Sequence, residues 1–298
     1  MPDRLLAYTD KLSVEPGELV EVKVSAPRKG SYRASLVRVT CGDDSPDGRG
    51  YKVEPVAGVT ATEHPARYQA IRCGSYVEME DRNSFALQSF SIRAAVWPTW
   101  LDKGSEQCII GNWDAAAKTG YALYLNAAGR LTLRIGDQAP LVLPHDLVSR
   151  HWYMVAVSFD AKSGRAVLAS RRRIAYGHAS KRQFAEGKLA PSATANRLLV
   201  AAWNNGTDVA AHFNGKIDSP AIYGEALAPE VLLAFPGTRD EPAPGRGIAD
   251  WDFSQDVGGT WVIDSSRHRR NGHTINLPTP AMTGWNWDGS EMNWKGKP

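Results

Sequence analysis

Sulfur is scarce in this sequence. Cys41, Cys73 and Cys108 are its only three cysteines in 298 residues, widely spaced and without a CxxC pair. An odd, scattered set of this kind excludes a disulfide framework and a zinc-finger ligand pattern. Long apolar runs are missing too. None exceeds six residues, as in LLVAAW at Leu198–Trp203, far below the roughly 20 residues a membrane helix needs. The opening MPDRLLAYTD has no apolar run of signal-peptide length. Charge of one sign is also lacking: the net charge of +3 makes no case for nucleic acid or an anionic membrane. These absences favour an intracellular, cytoplasmic protein.

The usual catalytic signatures are absent as well. There is no GxSxG elbow, no P-loop and no HExxH, and His145, His151, His178 and His212 lie scattered. A glycosidase would need two carboxylates flanking a sugar. The nearest approach is YVEMED at Tyr76–Asp81, whose Glu78 and Glu80 could equally face solvent. Cys73 or Cys108 would be nucleophilic only beside a histidine; Ile109 and Ile110 favour a buried structural thiol at Cys108.

What the chain does contain is strands. Val20, Val22 and Val24 alternate with Glu21 and Lys23, the pattern of a strand with one buried face. Pro16-Gly17 before it suits a type II turn, and Ser31–Thr40 is a further candidate strand. Phe90, Ile92, Ala94 and Val96 alternate up to Pro98. GYALYLNAAGRLTLRIGD reads as a hairpin around AAG, and HWYMVAVSFDAKSGRAVLAS as another around DAKSG. One short helix is indicated, LAPEVLLAF, with Pro229 in its first turn. Many short strands joined by polar turns imply a β-sandwich. Pro236–Gly247 reads as a linker. The fifty or so residues after it are too few for a core of their own and are expected to dock on the sandwich.

Three ordered segments carry a resemblance. Gly120–Asp137, His151–Ser170 (a tryptophan-containing strand followed by an Asp-x-x-x-Gly turn) and Phe213–Phe235 (with Asn-Gly-x-Ile-Asp) together resemble a laminin-G or concanavalin-like lectin jelly roll. In that frame Asn214-Gly215 supplies positive-φ turn positions. Trp152 fills space between the sheets. Pro220 requires an edge or a bulge in the closing strand.

A longer resemblance starts at AYTDKLSVEPGELVEVKVSAPRKGSYRASLVRVTCGD and resumes at WDFS, VIDSS and NGHTINLPTPAMTGWNWDGSEMNWKGKP. These phrases are similar to the N-terminal portion of the large subunit of the N,N-dimethylformamidase family, amidohydrolases acting on small N-substituted formamides. The resemblance implies an N-terminal accessory β-segment (1–66), a lectin-like sandwich (67–236), and a linker with a C-terminal extension (237–298). It also implies a catalytic domain beyond, where the iron with its two tyrosine ligands and one glutamate ligand resides. Those ligands have no counterpart in this chain, so no cofactor is expected here. Trp285, Trp287 and Trp294 would then form the seam toward that domain. The partners implied are the catalytic domain, a small subunit or a second copy, and the role is structural.

The alternative is a free-standing carbohydrate-binding module. A sugar site could use Asn112 and Trp113 in IIGNWDAAAKTG, or Trp203, Asn204 and Asn205 in AAWNNGTD, because indole faces stack on sugar C–H surfaces and amides bind hydroxyls. AAWNNG could equally be a strand that ends in a positive-φ turn with its indole buried. Some laminin-G relatives hold structural calcium near the turn occupied by Asp218; the competing role is a turn carboxylate accepting backbone hydrogen bonds. Arg171, Arg172 and Arg173, with Lys181 and Arg182, form either a partner-binding patch or a solvated strand end.

Overall fold

The computed structural model describes residues 5–69, 74–173, 181–235, 247–279 and 284–286. Contacts divide it into two compact units, Met1–Cys73 and Gly74–Pro298.

The first unit is built of three antiparallel ribbons of two strands each. β1 (Leu6–Thr9) pairs with β2 (Val22–Ser25), β3 (Gly30–Ala34) with β6 (Thr62–Ala66), and β4 (Val37–Cys41) with β5 (Lys52–Pro55). Gly17 has φ +93°, as the turn before β2 demands. The stretch Ser31–Thr40, expected as one strand, is instead divided between β3 and β4. The expected buried face at Val20–Val24 is not formed either: Val22 is 60% exposed. Its partner β1 is exposed throughout, so the alternation meets no second layer.

The second unit is a sandwich. Its strands are β7 (Tyr76–Met79), β8 (Phe90–Pro98), β9 (Gln107–Gly111), β10 (Tyr121–Leu125), β11 (Leu131–Ile135), β12 (Leu141–Val142), β13 (Tyr153–Asp160) and β14 (Arg165–Arg172). β15 (Arg182–Lys188), β16 (Leu199–Val200), β17 (Trp203–Asn205), β18 (Asp208–Ala210) and β19 (Gly215–Tyr223) follow, then helix α1 (Pro229–Leu232) and β20 (Ala249–Asp252), β21 (Trp261–Asp264) and β22 (Gly272–Ile275). One layer runs β12-β11-β10-β9-β16-β7-β22-β21, the other β20-β19-β8-β13-β14-β15, and the β20–β21 pair joins them at one side.

Alternation in each hairpin sends one set of side chains inward. Leu123, Leu131, Leu133 and Ile135 from the first layer meet Ile92, Val96, Val155, Val157 and Leu168 from the second in one core. Phe90 stacks on Tyr121 across the layers at 4.2 Å and packs beside Phe159 at 5.5 Å. The strands after residue 246 do more than lie against this body. β20 pairs with β19 and β22 with β7, and Trp251 between them is fully buried, its indole N–H donating to the Arg270 carbonyl at 2.8 Å.

Pro220 sits in a β19 bulge between Asp218 and Ala221, with Ser219 at φ +46°. Because β19 lies between β8 and β20, the bulge and not an edge accommodates the missing N–H. Gly215 is needed for close approach: a Cβ there would collide with the Trp97 carbonyl. Asn214 does not adopt positive φ. Trp152 corrects another expectation. It packs outside the sandwich, with α1, against Ala95, Met154, Ala156 and Ala169. Trp285 joins that outer cluster, 5.4 Å from the Phe235 ring, with the Arg173 guanidinium over both rings. Trp287, Trp294, Cys73 and His178 fall outside the described residues. Among the described residues no helix is long and apolar enough to cross a membrane.

Candidate functional site

The two segments singled out for sugar binding meet in space on the outer face of the first layer. Register explains what gathers there. Tyr124 of β10 lies opposite Thr132 of β11 and Cys108 of β9, while Ala122 lies opposite Arg134. These residues point away from the core, and the small Ala122 leaves room for the Arg134 side chain. From the β9 side, the Asn204 backbone N–H donates to the Trp113 carbonyl at 3.0 Å, and Ala115 N–H donates to the Asn204 carbonyl at 2.9 Å. This lacing brings Trp113 and Trp203 beside Tyr124 in one apolar cluster.

Arg134 stands among these three rings. Its Cζ is 5.3 Å from the Trp113 ring centre, 4.9 Å from Tyr124 and 5.6 Å from Trp203, all within cation–π range. Trp203 meets Tyr124 edge-on at 5.4 Å. Glu106 takes the guanidinium from the open side, Nη2 donating to Oε1 at 2.9 Å and Nη1 to Oε2 at 3.5 Å. That fork geometry fixes the guanidinium plane. Burial pushes the Tyr124 hydroxyl well above its ordinary pKa; Arg134 opposes the shift, and Glu106, which the hydroxyl engages, adds to it. Burial likewise raises the Cys108 thiol, with Glu106 contributing, so Cys108 carries no ready thiolate. The Trp113 indole N–H is buried without a hydrogen-bond partner.

Asn112 is fully buried and structural: its amide donates to the Phe85 and Thr194 carbonyls, and its oxygen accepts from Tyr121 N–H. Trp113 and Trp203 are only 3% and 4% exposed, so neither indole face is open for stacking in this conformation. Gly206, at φ +65°, follows strand β17, matching the reading of AAWNNG as a strand ending in a positive-φ turn. Asn204 accepts from Arg197 Nε at 2.8 Å, and Asn205 is exposed. What the cluster shows to solvent is the Arg134–Glu106 edge, 21% and 33% exposed. Arg134, Glu106 and Tyr124 were missed in the sequence. The signal for two of them was the outward phase of the same alternation that marked the hairpin.

The carboxylates of the YVEMED strand, Glu78 and Glu80, are internally engaged. Glu78 pairs with Arg197 and Arg82, and Glu80 with His273, whose ring lies 4.0 Å from the Trp261 ring. Calcium needs six to eight oxygens. Asp218 is half-buried in the bulge, accepts from Ser219 Oγ at 3.1 Å, and has Asp252 as a neighbouring carboxylate. Among the described residues no three His, Cys, Asp or Glu side chains gather closely enough to hold a metal.

The chain is 33% identical to the N,N-dimethylformamidase beta subunit of Paracoccus aminophilus over 97% of its length, which is 41% of that protein. A second N,N-dimethylformamidase beta subunit, from an Alcaligenes species, is also 33% identical, covering 96% of this chain and 41% of that one. The chain thus spans about two fifths of the length of the curated relatives it matches. Among solved structures, a candidate carbohydrate-binding protein from Bacteroides ovatus superposes with a TM-score of 0.48 at 13% identity, covering 77% of this chain and 68% of that one. Residues 72–232 match the model of the concanavalin A-like lectin/glucanases superfamily (Laminin_G_3), more than half of the chain, and the chain belongs to that family.

Proposed function

We propose that this chain is the non-catalytic, lectin-like part of a dimethylformamidase-type large subunit, and that it supports and shields an amidohydrolase portion lying in polypeptide outside these 298 residues. The beta subunits that it matches would be the large subunits of their enzymes. One observation carries the reading: relatives bearing the dimethylformamidase name match nearly all of this chain, yet the match takes up only 41% of them. Two ion pairs support it: Arg134 is held by Glu106 and lies over neighbouring rings, and Arg197 is paired with Glu78.

On this reading the iron belongs to the outside portion. Ferrous iron offered to the purified chain should be lost on gel filtration, with far less than one iron per chain retained. Retention of one iron per chain would overturn the assignment. The carbohydrate-module alternative requires the Trp113 or Trp203 indole to open. Saturable binding on a glycan array, abolished by Trp113→Ala or Trp203→Ala, would establish that alternative in place of the structural role.

A further inference from the structure

We infer that the apolar face of the β4–β5 ribbon is a docking surface, and that its occupant is polypeptide of the kind the curated relatives carry outside their matched two fifths. The inference rests on the functional reading above and adds the surface through which it operates. Val37 lies opposite Pro55 and Val39 opposite Val53, so one face of the ribbon is apolar; Arg38 opposite Glu54 occupies the other. Val37, Val39 and Val53 are 38%, 51% and 42% exposed, and Leu36, just before β4, is 57% exposed. Among the described residues neither strand has a second neighbour, so both outer edges of the ribbon can accept another strand.

Such a surface is costly to leave in water. Isolated two-stranded ribbons are marginally stable, and contiguous exposed apolar patches mark interaction sites. The imbalance is confined to this part of the chain. Of the twenty large hydrophobic residues exposed in the described structure, fifteen lie between Leu5 and Tyr68, a stretch that buries only Ser25 and Ala26. Opposite charges at Arg38 and Glu54 keep the outer face soluble while the valine face stays available. The occupant is identified by what surrounds this stretch in its relatives. They are 33% identical across nearly the whole of this chain and more than twice as long, so the matched region resides beside a large amount of further polypeptide. Its contacting surface would be apolar, with a strand edge or an aliphatic and aromatic patch facing the valines.

Hydrogen exchange on two intact proteins tests this: the 298-residue chain, and the Paracoccus aminophilus beta subunit purified without other subunits. The amides of Val37–Cys41 and Lys52–Pro55 should exchange freely in this chain at every concentration. The aligned segment of the longer relative should exchange at least about a hundredfold more slowly, since covering a ribbon suppresses its local opening. Fast exchange in both proteins would overturn the inference, as would protection in this chain. Protection that rises with concentration would make the occupant a second copy, and concentration-independent protection would place the cover within the chain itself. Protection appearing in the relative only on assembly would assign the face to another subunit. None of these outcomes depends on whether this chain binds iron or hydrolyses an amide, so failure of the ribbon assignment is separable from failure of the functional reading.

Discussion

Arg134 is the residue on which the outer cluster turns. Three aromatic faces and one bidentate carboxylate hold it, and each cation–π contact of this half-buried kind is worth about 0.5–2 kcal/mol. Arg134→Ala is expected to lower unfolding stability by about 2 kcal/mol in urea denaturation, because it also strands Glu106 beside the Tyr124 hydroxyl. Arg134→Lys should recover less than half of that loss, since an ammonium cannot reproduce the planar fork. Asp218 makes a pH-dependent prediction. Burial, with the Asp252 carboxylate adding, holds its pKa above the ordinary 3.8. The folded state therefore binds this proton more tightly than the unfolded chain does. Its favourable contribution is complete below the unfolded value and is lost as pH rises through the raised folded value. Asp218→Asn should accordingly be more stable than the parent at pH 7, with the difference shrinking toward zero below about pH 4. Thermal unfolding across pH 3–8 would check the sign; an Asn variant less stable at pH 7 would contradict it. Arg134 was the least legible of these residues in the sequence. An arginine on the polar phase of a strand looks like any solvated charge until the loops carrying Trp113 and Trp203 are seen to close over it.

Among the elements, the hairpins were the most legible. β10–β11 and β13–β14 carry strict period-two alternation about Gly129 and Gly164, which take φ +75° and +72°, and local chemistry alone sets such turns. Pro220 likewise announced the β19 bulge, because a proline cannot donate to the ladder wherever it falls. The alternation at Val20–Val24 misled for a physical reason: a two-faced strand needs a second layer, and β1–β2 is a ribbon without one. Trp152 misled because outward and inward phases of a strand look alike when both are covered, here by α1. Three substitutions separate these cases. Gly215→Ala should cost about 1–3 kcal/mol by forcing β19 away from the Trp97 carbonyl. Val39→Thr and Val53→Thr, on the open ribbon face, should each change stability by less than about 0.5 kcal/mol. Chemical denaturation of the three variants would show the contrast.

Across the whole molecule, the jelly-roll class was readable because many short alternating strands have few other ways to bury their apolar faces. How the chain closes the sandwich was less readable. β20, β21 and β22 bridge both layers, yet their sequence shows short polar-flanked segments whose partners lie far back in the chain, β19 and β7. Trp251 shows how much they contribute. It is fully buried against Phe85, 5.8 Å between ring centres, so Trp251→Ala should cost about 3–5 kcal/mol. A smaller loss in calorimetry would mean that these strands only lie on the surface. The functional account rests on motif likeness at both ends of the chain, and it concerns what the sandwich serves. The most direct measurement is release of dimethylamine from N,N-dimethylformamide by the purified 298-residue chain supplied with iron, assayed beside the intact Paracoccus aminophilus enzyme. The account predicts release at the uncatalysed rate from this chain and turnover from the relative; turnover by the chain alone would contradict it.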